Sequence, residues 1–222
     1  MRSEAREVRA QRIVSYLKRA YPFPKSELLY STPFQFLVAV MLSAQCTDKL
    51  VNKVTRSLFK QLRTARDFAK ADPRNFEKQI AQVSFFRTKA RNIQASAKIV
   101  ADNFGGKIPH EESKLVTLPG VGYKTAHVVA GELFGHWEGI PTDTHVKRFA
   151  KRFDLTDHED LKKISKDLEA LVPKKDWKYV NNGLVLYGRY LCPARPHDCK
   201  NHPLTKLWKP ALHRWPKTRE VR

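Results

Sequence analysis

The chain has 222 residues, 41% of them apolar, with a mean hydropathy of −0.53, enough to build one large or two small hydrophobic cores. No stretch nears the ~20 uninterrupted apolar residues of a membrane span, and the first residues lack the apolar core and small-residue cleavage site of a secretory signal. A soluble, cytoplasmic, nucleoid-associated protein with no membrane partner is therefore expected. Forty-two Lys and Arg against 22 Asp and Glu give a net charge of +20 and a pI near 10. Such a surplus repels itself in the folded state and points to a polyanionic partner, nucleic acid above all. Cys46, Cys192 and Cys199 are too few and odd in number for a disulfide scaffold, which fits a reducing compartment.

Apolar residues recur at helical spacing in nearly every segment, and none alternates as a half-buried strand would. Val8, Ile13, Tyr16, Leu17 and Ala20 share one face of a first helix, which the Pro-Phe-Pro at 22–24 ends. Pro33 opens a strongly apolar helix to about residue 44, and Asp48 is expected to cap the next, through 59. Asp72-Pro73 starts a short helix to about 82, and a longer one from about 88 to 103 stops at Gly105-Gly106. A short helix at 111–117 and a longer one at 123–134, closed by Gly135, enclose Leu118-Pro119-Gly120-Val121-Gly122. Asp143 reads as the N-cap of a helix through 152; two more follow at about 159–171 and 175–190. After Cys192 the chain turns to Pro, Lys, Arg and His without periodicity and is expected to be irregular. The fold class is all-α.

The segment from Leu115 to Ala126 carries the most chemistry. Two helices meet at a turn where Gly120 and Gly122 permit positive φ and close approach of another backbone. Val121 can pack inward while neighbouring amides face a phosphate. The turn feeds a helix N-terminus, whose unpaired N–H groups and positive dipole end attract an anion. This is a helix-hairpin-helix element, which grips DNA backbone without reading sequence. Lys124 falls in the first turn of the second helix, where the dipole disfavours a cation. A neutral amine there is a nucleophile, whereas an ammonium there is a phosphate contact; the residues alone leave both open.

LPGVGYKTAHVVAG at 118–131, followed by Pro141-Thr142-Asp143-Thr144-His145-Val146-Lys147-Arg148, resembles the helix-hairpin-helix-GPD glycosylase superfamily, most closely its endonuclease III branch. The likeness spans roughly residues 30–192 and includes Leu42-Ser43-Ala44-Gln45, Lys89-Ala90-Arg91-Asn92-Ile93 and Tyr187-Gly188-Arg189-Tyr190-Leu191-Cys192. It implies a base-excision-repair DNA glycosylase with AP-lyase activity on oxidised pyrimidines, acting as a monomer on duplex DNA with a damaged base or abasic site. Lys124 is then the nucleophile at C1′ and Asp143 the assisting carboxylate. Gln45 matches the residue inserted into the duplex, and Phe85 aligns with an apolar wedge, although Phe85 and Phe86 also suit a core. Lys89, Gly120, Val121, Gly122, Thr125, His145 and Arg148 complete the expected DNA-binding set. The resemblance further implies two helical domains with a DNA-binding cleft between them: a six-helix barrel at 26–137, and 1–25 joined to 138–222. A sister glycosylase for uracil or thymine mismatches, adenine mispairs or alkylated bases, and a non-catalytic helix-hairpin-helix DNA-binding protein, are the alternatives.

The sequence departs from the family at its end. Many relatives hold a [4Fe–4S] cluster on four cysteines spaced C-x6-C-x2-C-x5-C; here the positions are Cys192, Cys199, His202 and Trp208. Two thiolates cannot hold a cubane that takes about four ligands, so no cluster is expected. Cys192, Cys199, His202 and His197 are ligand types that suit zinc, but the x6 gap is unusual and a decayed cluster site leaves the same remnant. No metal is expected. Leu204, Leu207, Trp208 and Trp215 are then the residues to pack this segment, and Lys206, Lys209, Arg214, Lys217 and Arg219 candidate phosphate contacts.

Overall fold

The computed structural model describes residues 5–195 and 197–214, so Trp215, Lys217 and Arg219 lie outside the described residues. All regular structure among them is helical, and no helix there is long and apolar enough to cross a membrane. The chain divides into two compact units, one of residues 26–136 and the other of the residues up to 25 with those from 137 on.

The 26–136 unit is built around α2 (Pro33–Ser43), buried without interruption from Phe34 to Leu42. Thr32 caps it by accepting the Gln35 N–H, and Pro33 supplies a first-turn residue with no N–H to satisfy. Gln35 is the one polar side chain in that run. Its amide donates to the Phe59 and Leu62 carbonyls at 2.8 and 2.9 Å, and its oxygen accepts from Ser31 N–H at 2.9 Å. The last carbonyls of α3 (Asp48–Gln61) are thereby satisfied from inside the core. The cap of α3 is Thr47, whose hydroxyl accepts from Leu50 N–H; Asp48, expected as the cap, is instead the first-turn acid that complements the dipole.

Between α3 and α5 (Pro73–Gln79) the structure inserts α4 (Ala65–Lys70), which the periodicity did not reveal. Six residues hold too few apolar positions to show a period, yet Thr64 and Asp67 form a full capping box. Phe68 of α4 packs between Phe34 and Phe76, tilted to the first and edge-on to the second, at centroid separations of 5.3 and 5.9 Å. The unit closes with α6 (Phe86–Asn103), α7 (Glu112–Leu115) and α8 (Tyr123–Phe134), the last ended by Gly135 at φ +70°.

In the other unit α1 (Arg6–Ala20) packs with α9 (Thr144–Arg152), α10 (Leu161–Leu171), α11 (Leu184–Tyr190) and α12 (Pro203–Leu207). Arg9 is almost wholly buried. It donates to the Phe153 and Asp154 carbonyls at 2.6 and 2.7 Å, and its guanidinium lies 4.4 Å over the Trp208 ring. The helix expected over 175–190 is present but not uniform: it opens with a 3-10 turn at Lys174–Asp176, widens to a π-type turn at Tyr179–Gly183 and ends as α11. Long-range bonds hold that turn: Asn181 Nδ2 donates to the Pro141 carbonyl and Asn182 Nδ2 to the Pro24 carbonyl, at 2.7 and 3.1 Å. The segment after Cys192, expected to be irregular, contains α12 and a 3-10 turn at Lys209–Leu212, with Leu204 and Ala211 fully buried.

Candidate active site

The hairpin between α7 and α8 is fixed from three sides. Val121 N–H donates to the Leu118 carbonyl at 3.0 Å, Ser96 of α6 donates its hydroxyl to the Pro119 carbonyl at 2.8 Å, and His127 pairs with buried Glu112 at 2.8 Å. The Val121 side chain is in the core, as its position in the turn requires. Gly120 has φ +79°, and a Cβ there would stand 2.9 Å from Asn92 Cβ and 3.0 Å from Met41 Cε. Gly122 differs from expectation: its φ is −86°, ordinary for any residue, and a Cβ there would meet nothing within 4 Å. What Gly122 provides is an open face. We therefore expect Gly120→Ala to lower stability by about 1–3 kcal/mol and Gly122→Ala, sterically free but at a helix N-cap where alanine is disfavoured, by no more than about 1 kcal/mol, measured by denaturant unfolding.

Gly122 is also the N-cap of α8, and it has no side chain to satisfy the first-turn amides. Those N–H groups lack intrahelical acceptors, so a phosphate can take them. Lys124, second in this helix, is exposed, and its ammonium makes no ion pair or hydrogen bond among the described residues. Thr125 beside it is half-buried.

Two loops of the same unit carry the residues matched to duplex insertion. Gln45 and Phe85 are both in the left-handed region, at φ 56° and 57°, where non-glycine residues are uncommon and strained. Both are exposed, Phe85 to 65%, so Phe85 is not a core residue; Phe86 takes the packing position. Ser84 links the loops, its hydroxyl donating to the Gln45 carbonyl at 3.4 Å and its N–H to Cys46 Sγ at 3.3 Å.

Lys89, expected to touch DNA, is instead buried beneath these loops. Its Nζ donates to the Leu42 and Ala44 carbonyls at 2.8 and 2.6 Å and lies 3.8 Å from Cys46 Sγ. Burial pushes its pKa down, opposed by Cys46. Its cation holds the end of α2 and the Gln45 loop in place. Sequence could not show this, because one internal lysine is indistinguishable among so many basic residues.

In the other unit Asp143 caps α9. Its Oδ1 accepts the N–H groups of His145 and Val146 at 2.8 and 2.9 Å, and Oδ2 takes no further hydrogen bond among the described residues. His145 is half-buried against Gly188, where a Cβ would collide with its ring and with Arg148. That contact is a physical reason for glycine in the Tyr187–Cys192 motif. Arg148, expected at the DNA, is 7% exposed; it lies 4.2 Å over the Phe149 ring and donates to the Pro193 carbonyl at 3.3 Å. Burial lowers its pKa, with Cys192 opposing.

Comparison with known proteins places this geometry. The family model of the HhH-GPD superfamily base excision DNA repair protein matches residues 38–174. The chain is 41% identical to an endonuclease III of Synechocystis sp., covering 91% of this chain and 93% of that protein. It is 40% identical to that of Bacillus subtilis, over 84% and 85%. The chain belongs to the HhH-GPD superfamily, in its endonuclease III family. Its members are base-excision DNA glycosylases with AP-lyase activity, and this chain is such an enzyme. Among solved structures, a trapped endonuclease III–DNA covalent intermediate superposes with a TM-score of 0.86 at 36% identity, over 95% of this chain and 99% of that one. A non-covalent endonuclease III–DNA complex gives the same TM-score and identity, over 94% and 97%.

Of the family's four cluster positions, this chain has cysteine at two, Cys192 and Cys199, with His202 and Trp208 at the others. Cys192 and Cys199 are buried, and both sulfurs accept hydrogen bonds from the fully buried guanidinium of Arg152, Cys192 at 2.9 Å. Trp208, at the fourth position, lies under Arg9 and beside Phe153. Cys46, the remaining cysteine, belongs to the other unit. These residues do not fit a four-thiolate cubane. Arg152 escaped sequence reading, although its place one turn after Arg148, on a helix that buries Phe149, was a signal for internal partners. Arg214, expected as a phosphate contact, pairs with Asp154 at 2.6 Å, while Lys206 and Lys209 are exposed.

Proposed function

We propose that this enzyme excises oxidised pyrimidines from duplex DNA as a monomer, with Lys124 as nucleophile and Asp143 as the carboxylate partner. One observation carries the reading: an exposed amine with no partner among the described residues, on the uncapped first turn of the hairpin helix that suits a backbone phosphate. The superposed covalent endonuclease III–DNA intermediate supports it.

The amine lone pair of Lys124 attacks C1′, and the C1′–N bond breaks as the base leaves with its electron pair and takes up a proton. Positive charge that develops on the sugar is stabilised by the carboxylate. Opening of the sugar ring gives a Schiff base, which acidifies the C2′ proton. Loss of that proton expels the 3′ phosphate by β-elimination, and water then releases the lysine. A base within the stack is out of reach, so the nucleotide must leave the duplex. Gln45 and Phe85, exposed and strained on linked loops, are the residues to fill the gap. We further propose that the enzyme works without a [4Fe–4S] cluster.

Duplexes bearing thymine glycol, an abasic site, uracil, an adenine mispair or an alkylated base test the substrate class. Excision with strand scission is expected on the first and scission on the second; activity confined to the others would overturn it. Asp143→Asn keeps an N-cap acceptor but removes the charge. Base excision is expected to fall on the order of 10²-fold with the melting temperature held, whereas Asp143→Ala also forfeits about 1 kcal/mol of capping.

A further inference from the structure

The segment after α11 brings together three ligands that no described function uses. Cys192 Sγ, one nitrogen of His197 and one of His202 all lie within 4.8 Å of one another. The rings of His197 and His202 are tilted by 34°, with centroids 5.0 Å apart. His197 Nδ1 is 2.7 Å from the Arg195 carbonyl, which can only accept, so Nδ1 donates and, in the neutral ring, Nε2 is the nitrogen with the lone pair. A ring fixed this way is the arrangement in which metal-binding histidines are held. His197 Nε2 is itself shielded from solvent. His202 Nδ1 is buried and has no hydrogen-bond partner among the described residues, which leaves a polar atom unsatisfied. Cys192 is fully buried, and its sulfur accepts from Arg152, as N–H groups around metal-bound thiolates do.

We propose that Cys192, His197 and His202 form a mononuclear zinc site where the family's iron–sulfur cluster would lie. The sequence argued against zinc on the x6 gap between Cys192 and Cys199. His197, inside that gap, shortens it to Cys-x4-His and removes the objection. One thiolate and two imidazoles suit zinc and disfavour magnesium or calcium, which take oxygen ligands. A fourth position remains for water or for Cys199, whose sulfur sits on another nitrogen of the same guanidinium and whose carbonyl accepts the His202 N–H. Zinc here would tie the loop to α11 and give His202 Nδ1 its missing partner.

The test uses the full chain, purified under reducing conditions without a histidine tag. Elemental analysis is expected to find about one zinc per chain, and Co²⁺ added to the stripped protein to give the thiolate charge-transfer and ligand-field bands of a tetrahedral site. His202→Gln and, separately, His197→Gln should weaken Zn²⁺ binding by at least ~100-fold in competition with a chromophoric chelator, with the helical circular dichroism unchanged. The His197 variant serves if His202→Gln fails to fold. No Co²⁺ charge-transfer band, unchanged Zn²⁺ affinity in both variants, or iron with a brown chromophore would each overturn the proposal. Glycosylase activity would be untouched by the first two results, so the site can fail while the proposed function stands.

Discussion

Lys124→Ala is expected to abolish borohydride trapping on an abasic duplex and to slow strand scission on the order of 10³-fold or more. The side chain is exposed and has no internal partner among the described residues, so its removal leaves folding stability within about 0.5 kcal/mol. Loss of activity therefore reports on chemistry and not on unfolding. Binding of an uncleavable abasic analogue should be weakened far less, because the hairpin amides and Gly122 remain. A variant that lost affinity in proportion to scission would make Lys124 a phosphate contact. Melting temperature, analogue affinity and single-turnover scission, measured together, separate the outcomes.

Arg152→Met is expected to be the most damaging single change to the unit that holds Asp143. The guanidinium is completely buried: Nε donates to the Ala211 carbonyl at 2.9 Å, Nη1 to Cys192 Sγ at 2.9 Å and Nη2 to Cys199 Sγ at 2.5 Å. It thus joins the end of α9 to the segment after α11 and to the turn after α12. Methionine fills part of the volume but leaves these acceptors without donors. At roughly 1–3 kcal/mol for each buried unsatisfied group, the loss is about 3 kcal/mol or more. For a chain of this size that corresponds to a fall in melting temperature of about 6–12 °C. Arg214→Met is the control, since its exposed pair with Asp154 should contribute less than about 1 kcal/mol. Equal melting temperatures for the two variants would show that Arg152 is not the clamp.

Periodicity and turn chemistry made much of the helix content legible. The apolar run behind Pro33, the glycines after residue 104 and the Leu118–Gly122 turn placed α2, α6 and α8, and Asp143 was readable as a cap from the helix that follows it. What stayed hidden was set by partners distant in sequence. The π-type widening inside the helix expected at 175–190 goes with Asn181 and Asn182 reaching the Pro141 and Pro24 carbonyls. Lys89, Arg148 and Arg152 count toward the net charge like any surface cation, yet their partners are carbonyls, sulfurs and a ring. The positive φ of Gln45 and Phe85 has no sequence signature, because neither is glycine. Strain at two exposed positions beside a buried lysine was visible only in three dimensions. Lys89 holds the end of α2 and the Gln45 loop, and Arg152 the segment after α11, so neither is a surface cation.

The most direct measurement is peptide mapping of the borohydride-reduced protein–DNA adduct. After nuclease and trypsin digestion, mass spectrometry should find a missed cleavage and the sugar remnant on the side chain of Lys124 alone. A remnant on another lysine or on the N-terminal amine would contradict the assignment of the nucleophile.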